Sequence, residues 1–73
     1  MTKQKISEQF GRNLAEARGW IGLTQKQLGA RVSMTQRHIA GLEGGERCPR
    51  LDKVVLLADA VDVQVRDLLY GIE

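Results

Sequence analysis

Few side chains in this sequence could do covalent or metal chemistry, and their number and spacing forbid most of it. Cys48 and His38 are the only cysteine and the only histidine. Together they cannot supply the four nitrogen or sulfur ligands of a usual structural zinc site. A single thiol also excludes an internal disulfide and suits a reducing compartment. No hydroxyl or thiol stands at a spacing that pairs it with a general base, and no glycine-rich run has the form of a phosphate-binding loop. The residues read as those of a protein that binds, with no metal or cofactor, and not as those of an enzyme.

What remains is charge. Residues 1–38 carry seven basic side chains (Lys3, Lys5, Arg12, Arg18, Lys26, Arg31, Arg37) against the acids Glu8 and Glu16, a net +5. Residues 39–73 carry four basic side chains against seven acidic ones, a net −3. The total of +2 is too small to demand a polyanionic partner. A basic half beside an acidic half nevertheless describes a molecule that turns one face toward nucleic acid.

Helices must position these charges, because apolar residues recur at steps of three and four and no strand-like alternation is present. Ile6, Phe10, Leu14, Ala17 and Ile21 form one stripe, predicting a first helix from Ser7, as its N-cap, to Trp20. Thr24 and Gln27 fit a capping box, and Leu23 and Leu28 fit a hydrophobic staple, so a second helix runs to Arg31 or Val32. Thr35 caps a third, Gln36 to Glu43, with Met34 and Ile39 in staple spacing and Gly44-Gly45 as its stop. Only Val32-Ser33-Met34 separates the second and third helices. So short a connection cannot reverse the chain, and it gives the helix-turn-helix pattern over about residues 24–43.

Gly29 sits inside the second helix, where it costs about 1 kcal/mol relative to alanine, a cost that close approach of the next helix would offset. Pro49 opens a fourth helix. Its Leu51, Val54, Val55, Leu57, Ala58 and Val61 cover more than half of the circumference, which predicts a central place in the core. A fifth, from Val65 to Tyr70, stops at Gly71. The expectation is a single all-α domain of five short helices over residues 1–73. No apolar run approaches the ~20 residues of a membrane span, and the polar start Met1–Lys5 is not followed by a signal-peptide core. Both point to the cytoplasm.

The stretch Leu23-Thr24-Gln25-Lys26-Gln27-Leu28, with Ile39, Leu42-Glu43, Gly45, Arg47, Pro49 and Leu57-Ala58, resembles the lambda-repressor-like (Cro/repressor, XRE) helix-turn-helix family. The resemblance extends over about residues 7–69 and takes in small phage repressors and restriction-modification controller proteins. Two departures stand out. Gly29 replaces the family's usual alanine, and Ser33 replaces its usual turn glycine, so a left-handed backbone there would be less comfortable.

The resemblance implies that the third helix lies in the major groove, with Gln36 and Arg37 against base edges. Their chemistry agrees: glutamine bonds adenine N6/N7, and arginine bonds guanine O6/N7, each in bidentate fashion. His38 joins them as a base or phosphate contact. Ala40 offers only a methyl group to thymine and Gly41 offers nothing, which concentrates readout in the first turn. Gln25 would hold a phosphate at the start of the second helix and buttress the third. Thr24, Thr35, Arg47, Arg50 and Lys53 would complete the phosphate contacts. Arg18 and Glu43 match a structural ion pair that holds the recognition helix at its angle.

The function so implied is a sequence-specific regulator, bacterial or phage-encoded, that binds a palindromic operator in double-stranded DNA as a homodimer. RNA polymerase and a toxin are the protein partners such a domain would take. Lys26 and Arg31 stand on the second helix, where activating relatives carry acids, which favours repression. A 73-residue chain builds a core worth only about 3–5 kcal/mol, so a partner subunit would help it. Leu68 and Val65 would fill the one buried face of the last helix. The dimer interface would then be drawn from Val63, Val65, Leu69, Tyr70 and Ile72.

Overall fold

A computed structural model describes all 73 residues. Five helices and no strand make up the chain: α1 Lys3–Trp20, α2 Gln25–Val32, α3 Gln36–Glu43, α4 Leu51–Ala60 and α5 Val65–Leu68. The all-α expectation is met. No helix is long and apolar enough to cross a membrane.

The first helix starts a full turn before the predicted cap. Thr2 is the N-cap, its hydroxyl accepting from the Lys5 amide at 3.2 Å. Ser7, expected to cap, is instead buried within the helix and donates to the Lys3 carbonyl at 3.1 Å. A helical serine satisfies its hydroxyl in this backward manner, so its type alone does not mark a helix end. Ile21, expected to extend the apolar stripe, is the C-cap and lies exposed, because the helix stops at Trp20.

At α2 the reciprocal cap forms as predicted. The Thr24 hydroxyl accepts from the Gln27 amide at 3.0 Å, and the Gln27 side chain accepts from the Thr24 amide at 2.8 Å. Ser33 ends this helix in the left-handed conformation, φ 56° and ψ 42°, and the Met34 amide bonds back to the Gly29 carbonyl at 2.9 Å. A Cβ at Gly29 would strike the Met34 carbonyl, and one at Gly11 would strike the carbonyls of Leu42 and Glu43. The approach that Gly29 permits is thus to the backbone entering α3, while Gly11 gives the same backbone contact where α3 ends.

One cluster of eleven buried residues joins all five helices: Phe10 and Leu14, Leu28 and Val32, Ile39 and Leu42, Val54, Leu57, Ala58 with Val61, and Leu68. The predicted share of α4 is too large. Val54, Leu57, Ala58 and Val61 are buried, but Leu51 is 75% and Val55 50% exposed, and Leu56 is 48% exposed. The neighbouring helices cover one face of α4 and leave these three residues outside it. The last helix is also shorter than expected. Asn13 on α1 donates to the carbonyls of Leu68 and Tyr70, both at 2.8 Å, and so receives the chain as it leaves the helix.

Candidate nucleic-acid interface

The third helix divides cleanly into two sides. Ile39 and Leu42 are fully buried, and they fix which way the remainder points. Gln36, Arg37, Ala40, Gly41 and Gly44 fall at steps of three and four on the opposite side. The helix begins at Thr35, whose hydroxyl accepts from the His38 amide at 3.0 Å. Gln36 and Arg37 follow at once, both exposed, and neither side chain makes a hydrogen bond or ion pair within the protein. A neutral amide and a guanidinium therefore project from the first turn with their full bonding capacity free.

His38 is half-buried and turns toward the flank, lining a cleft with Met34, Leu42, Cys48, Pro49, Arg50 and Lys53. Ala40 is half-buried in the second turn. Thr24 and Thr35 keep their hydroxyls in the two caps, at the starts of α2 and α3. The remaining predicted phosphate contacts differ in availability. Arg47 is exposed and unpaired. Arg50 is engaged by Asp52, with Nη2 to Oδ2 at 2.7 Å and Nε to Oδ1 at 3.2 Å. Those hydrogen bonds hold Asp52 below the usual carboxylate range and push Arg50 upward. Lys53 is half-buried beside them.

Behind the recognition side lies a three-residue network. Arg18 from α1 donates through Nε to Glu43 Oε2 at 2.6 Å and through Nη2 to Oε1 at 2.9 Å. Its remaining Nη1 donates to the Leu23 carbonyl at 2.8 Å. Gln25, half-buried at the start of α2, adds a third bond to Glu43 Oε1 at 3.0 Å. The hydrogen bonds from Arg18 to Glu43 raise the guanidinium above its already high pKa, partial burial opposing them. Three elements thereby meet on the last residue of α3. Gln25 spends its amide donor here, on the buttress.

The expected dimer residues separate into two groups. Leu69 and Tyr70 are exposed, at 40% and 77%. Val63, Val65 and Ile72 are half-buried against the core. Ile72, expected on the open patch, folds back to line a small apolar cavity with Ile6, Phe10, Val54 and Leu69. Leu51 and Val55 of α4, expected in the core, are surface residues, as is Leu56, which the apolar stripe did not include. The signal was present: a helix apolar over more than half its girth has more to cover than one small core can reach.

Comparison with known proteins agrees with this architecture. A helix-turn-helix domain family matches residues 9–69. The restriction-modification controller protein C.AhdI from Aeromonas hydrophila is 33% identical, with 84% of this chain and 92% of that one covered and a TM-score of 0.80. The clp gene regulator ClgR from C. glutamicum superposes with a TM-score of 0.85 at 22% identity, covering 88% of this chain and 82% of that one. The same fold occupies 38% of a hydroxypropylphosphonic acid epoxidase from S. wedmorenis, at 20% identity and a TM-score of 0.87 over 99% of this chain. No curated protein sequence matches. The chain belongs to the lambda-repressor-like helix-turn-helix family and has the fold of a DNA-binding transcription regulator.

Proposed function

We propose that the protein is a sequence-specific transcriptional regulator that binds a palindromic operator as a homodimer, with α3 in the major groove, and that it represses. The observation that carries the reading is the pair Gln36 and Arg37, exposed side by side in the first turn of a helix whose opposite side is sealed in the core. Gln36 can donate to adenine N7 and accept from its N6 amino group, and Arg37 can donate twice, to guanine O6 and N7. Thr24, Thr35, Arg50 and Lys53 flank that turn as phosphate contacts, and Arg18, Gln25 and Glu43 hold its angle. His38 takes a phosphate from the flank.

The homodimer is supported by apolar surface that the monomer leaves open: Leu51, Val55 and Leu56 on α4, with Leu69 and Tyr70 beyond α5. Repression is supported by the charge of α2, where Lys26 and Arg31 stand in place of acids. The protein acts in the cytoplasm, on double-stranded DNA, without catalysis.

Selection of bound duplexes from a random pool, at several salt concentrations, tests this. A two-fold symmetric consensus whose affinity falls steeply with salt is the expected result. Binding that ignores both sequence and salt would overturn it and leave a protein-docking domain.

A further inference from the structure

The recognition side of α3 is bare beyond its first turn, since Ala40, Gly41 and Gly44 follow Gln36 and Arg37 there. Yet Gly41 is buried. What covers it is Arg47, from the loop between α3 and α4. A Cβ built on Gly41 would lie 3.0 Å from Arg47 Cδ, 3.1 Å from Nε and 3.3 Å from Cγ. The stem of Arg47 thus occupies the space that a side chain at position 41 would fill.

The backbone fixes this path. The amides of Glu46 and Arg47 both donate to the Gly41 carbonyl, at 3.0 and 3.2 Å. Gly45, with φ 78°, makes the turn that brings the loop back. Of the guanidiniums near α3, Arg18 is bound to Glu43 and Arg50 to Asp52. That of Arg47 has no partner. Gly41 lies one turn beyond Arg37 on the same side of the helix.

We propose that Arg47 is a base-reading residue, laid across Gly41 so that its guanidinium takes a guanine edge in the major groove beside the base read by Arg37. This rests on the reading of α3 as the recognition helix. A phosphate contact needs only charge and tolerates a mobile side chain. A stem seated on the helix and held by two backbone bonds meets the stricter geometry of a bidentate bond to O6 and N7.

Selection from a random duplex pool with the full chain and its Arg47→Ala, Arg47→Lys and Gly41→Ala variants tests the assignment. The wild type should favour guanine at one further position of each half-site. Arg47→Ala should lose that preference about 10- to 100-fold while the other positions keep theirs. Arg47→Lys should keep its binding to unrelated duplexes, which needs only the charge, and still lose the guanine preference, because a point charge lacks the planar fork. Gly41→Ala should weaken it as well, with an unfolding midpoint that does not fall, since the added methyl meets only a flexible side chain and alanine is the better helix residue. A uniform loss of affinity in Arg47→Ala, with the salt slope reduced by about 1, would make Arg47 a phosphate contact and overturn the proposal. A Gly41→Ala chain that keeps the guanine preference would overturn it equally. Absence of any sequence preference in the wild type is a different failure, that of α3 as a reading helix.

Discussion

Arg18 grips Glu43 through two parallel bonds, at 2.6 and 2.9 Å, and leaves the Glu43 side chain only 7% exposed. The carboxylate ends α3 while the guanidinium belongs to α1, so the bond fixes the pitch of one helix against another. Either single replacement by alanine should cost about 1.5–3 kcal/mol, since each strands a charged partner. Urea unfolding of both singles and the double should give a coupling energy of about 1 kcal/mol or more. Coupling near zero would make them independent charges. The raised pKa of Arg18 means its contribution is fully present below the unfolded value and is lost only in strong alkali, so arginine deprotonation adds no pH dependence near neutrality.

In the first turn of α3, Gln36→Ala and Arg37→Ala should each lower affinity for the selected operator by about 1–3 kcal/mol. Each should relax selectivity at one base pair. Binding to unrelated duplexes should change little for Gln36→Ala, which removes no charge. Gel shifts on cognate and scrambled duplexes measure both effects, and an unaltered preference in both variants would defeat the assignment.

Sedimentation should find a dimer at tens of micromolar protein. Leu69→Glu or Val55→Glu, each placing a charge on the open apolar surface, should return it to monomer without unfolding it. The dimer should occupy half-sites about 10 bp apart or a small multiple of that. A wild type that remains monomeric would dismiss this surface as an interface.

The exposed pair of Arg50 and Asp52 sets up a competition. If Arg50 serves a phosphate, Asp52→Asn should free it and steepen the dependence of log affinity on log salt by about 0.9 per new contact. Stability should barely change, because the pair is solvent-exposed and screened. The lowered pKa of Asp52 means its small contribution is present above the unfolded value and is lost as pH falls through the folded one. An unaltered salt slope would remove Arg50 from the interface.

Ser33 holds φ 56° at the turn, a conformation that costs a residue with a Cβ about 1–2 kcal/mol relative to glycine's free access. Ser33→Gly should therefore stabilise the fold, by about 0.5–1 kcal/mol after the added entropy of the unfolded chain. A lowered unfolding midpoint would show that the serine side chain has a compensating role.

Much of the motif was legible because its signals are local. Thr24, Gln27 and Thr35 announce helix starts within four residues of themselves, and the caps form as the sequence predicts. The left-handed backbone at Ser33 was legible only through the family resemblance, whose usual glycine the serine replaces. Ser7 misled because a serine behaves alike at a cap and inside a helix, and the choice fell to Thr2. Leu51 and Val55 misled because apolar spacing tells which side chains avoid water but not whether their own chain or another hides them. The contact of Gln25 with Glu43 and the seat of Arg47 on Gly41 join separate elements, and only the folded backbone sets such distances.

The glycines of α1 and α2 that abut the two ends of α3, Gly11 and Gly29, have a consequence for how this surface can change over time. Gly29 lets the backbone in at one end and Gly11 at the other, and in each case the opposing group is a carbonyl. The helix is therefore seated by main chain, by the inward residues Ile39 and Leu42 and by Glu43 at its end, while Gln36 and Arg37 bear none of the weight. Positions 36 and 37 are free to be rewritten one at a time without unseating the scaffold. The latitude ends at the two glycines, where any added side chain meets main chain that cannot yield.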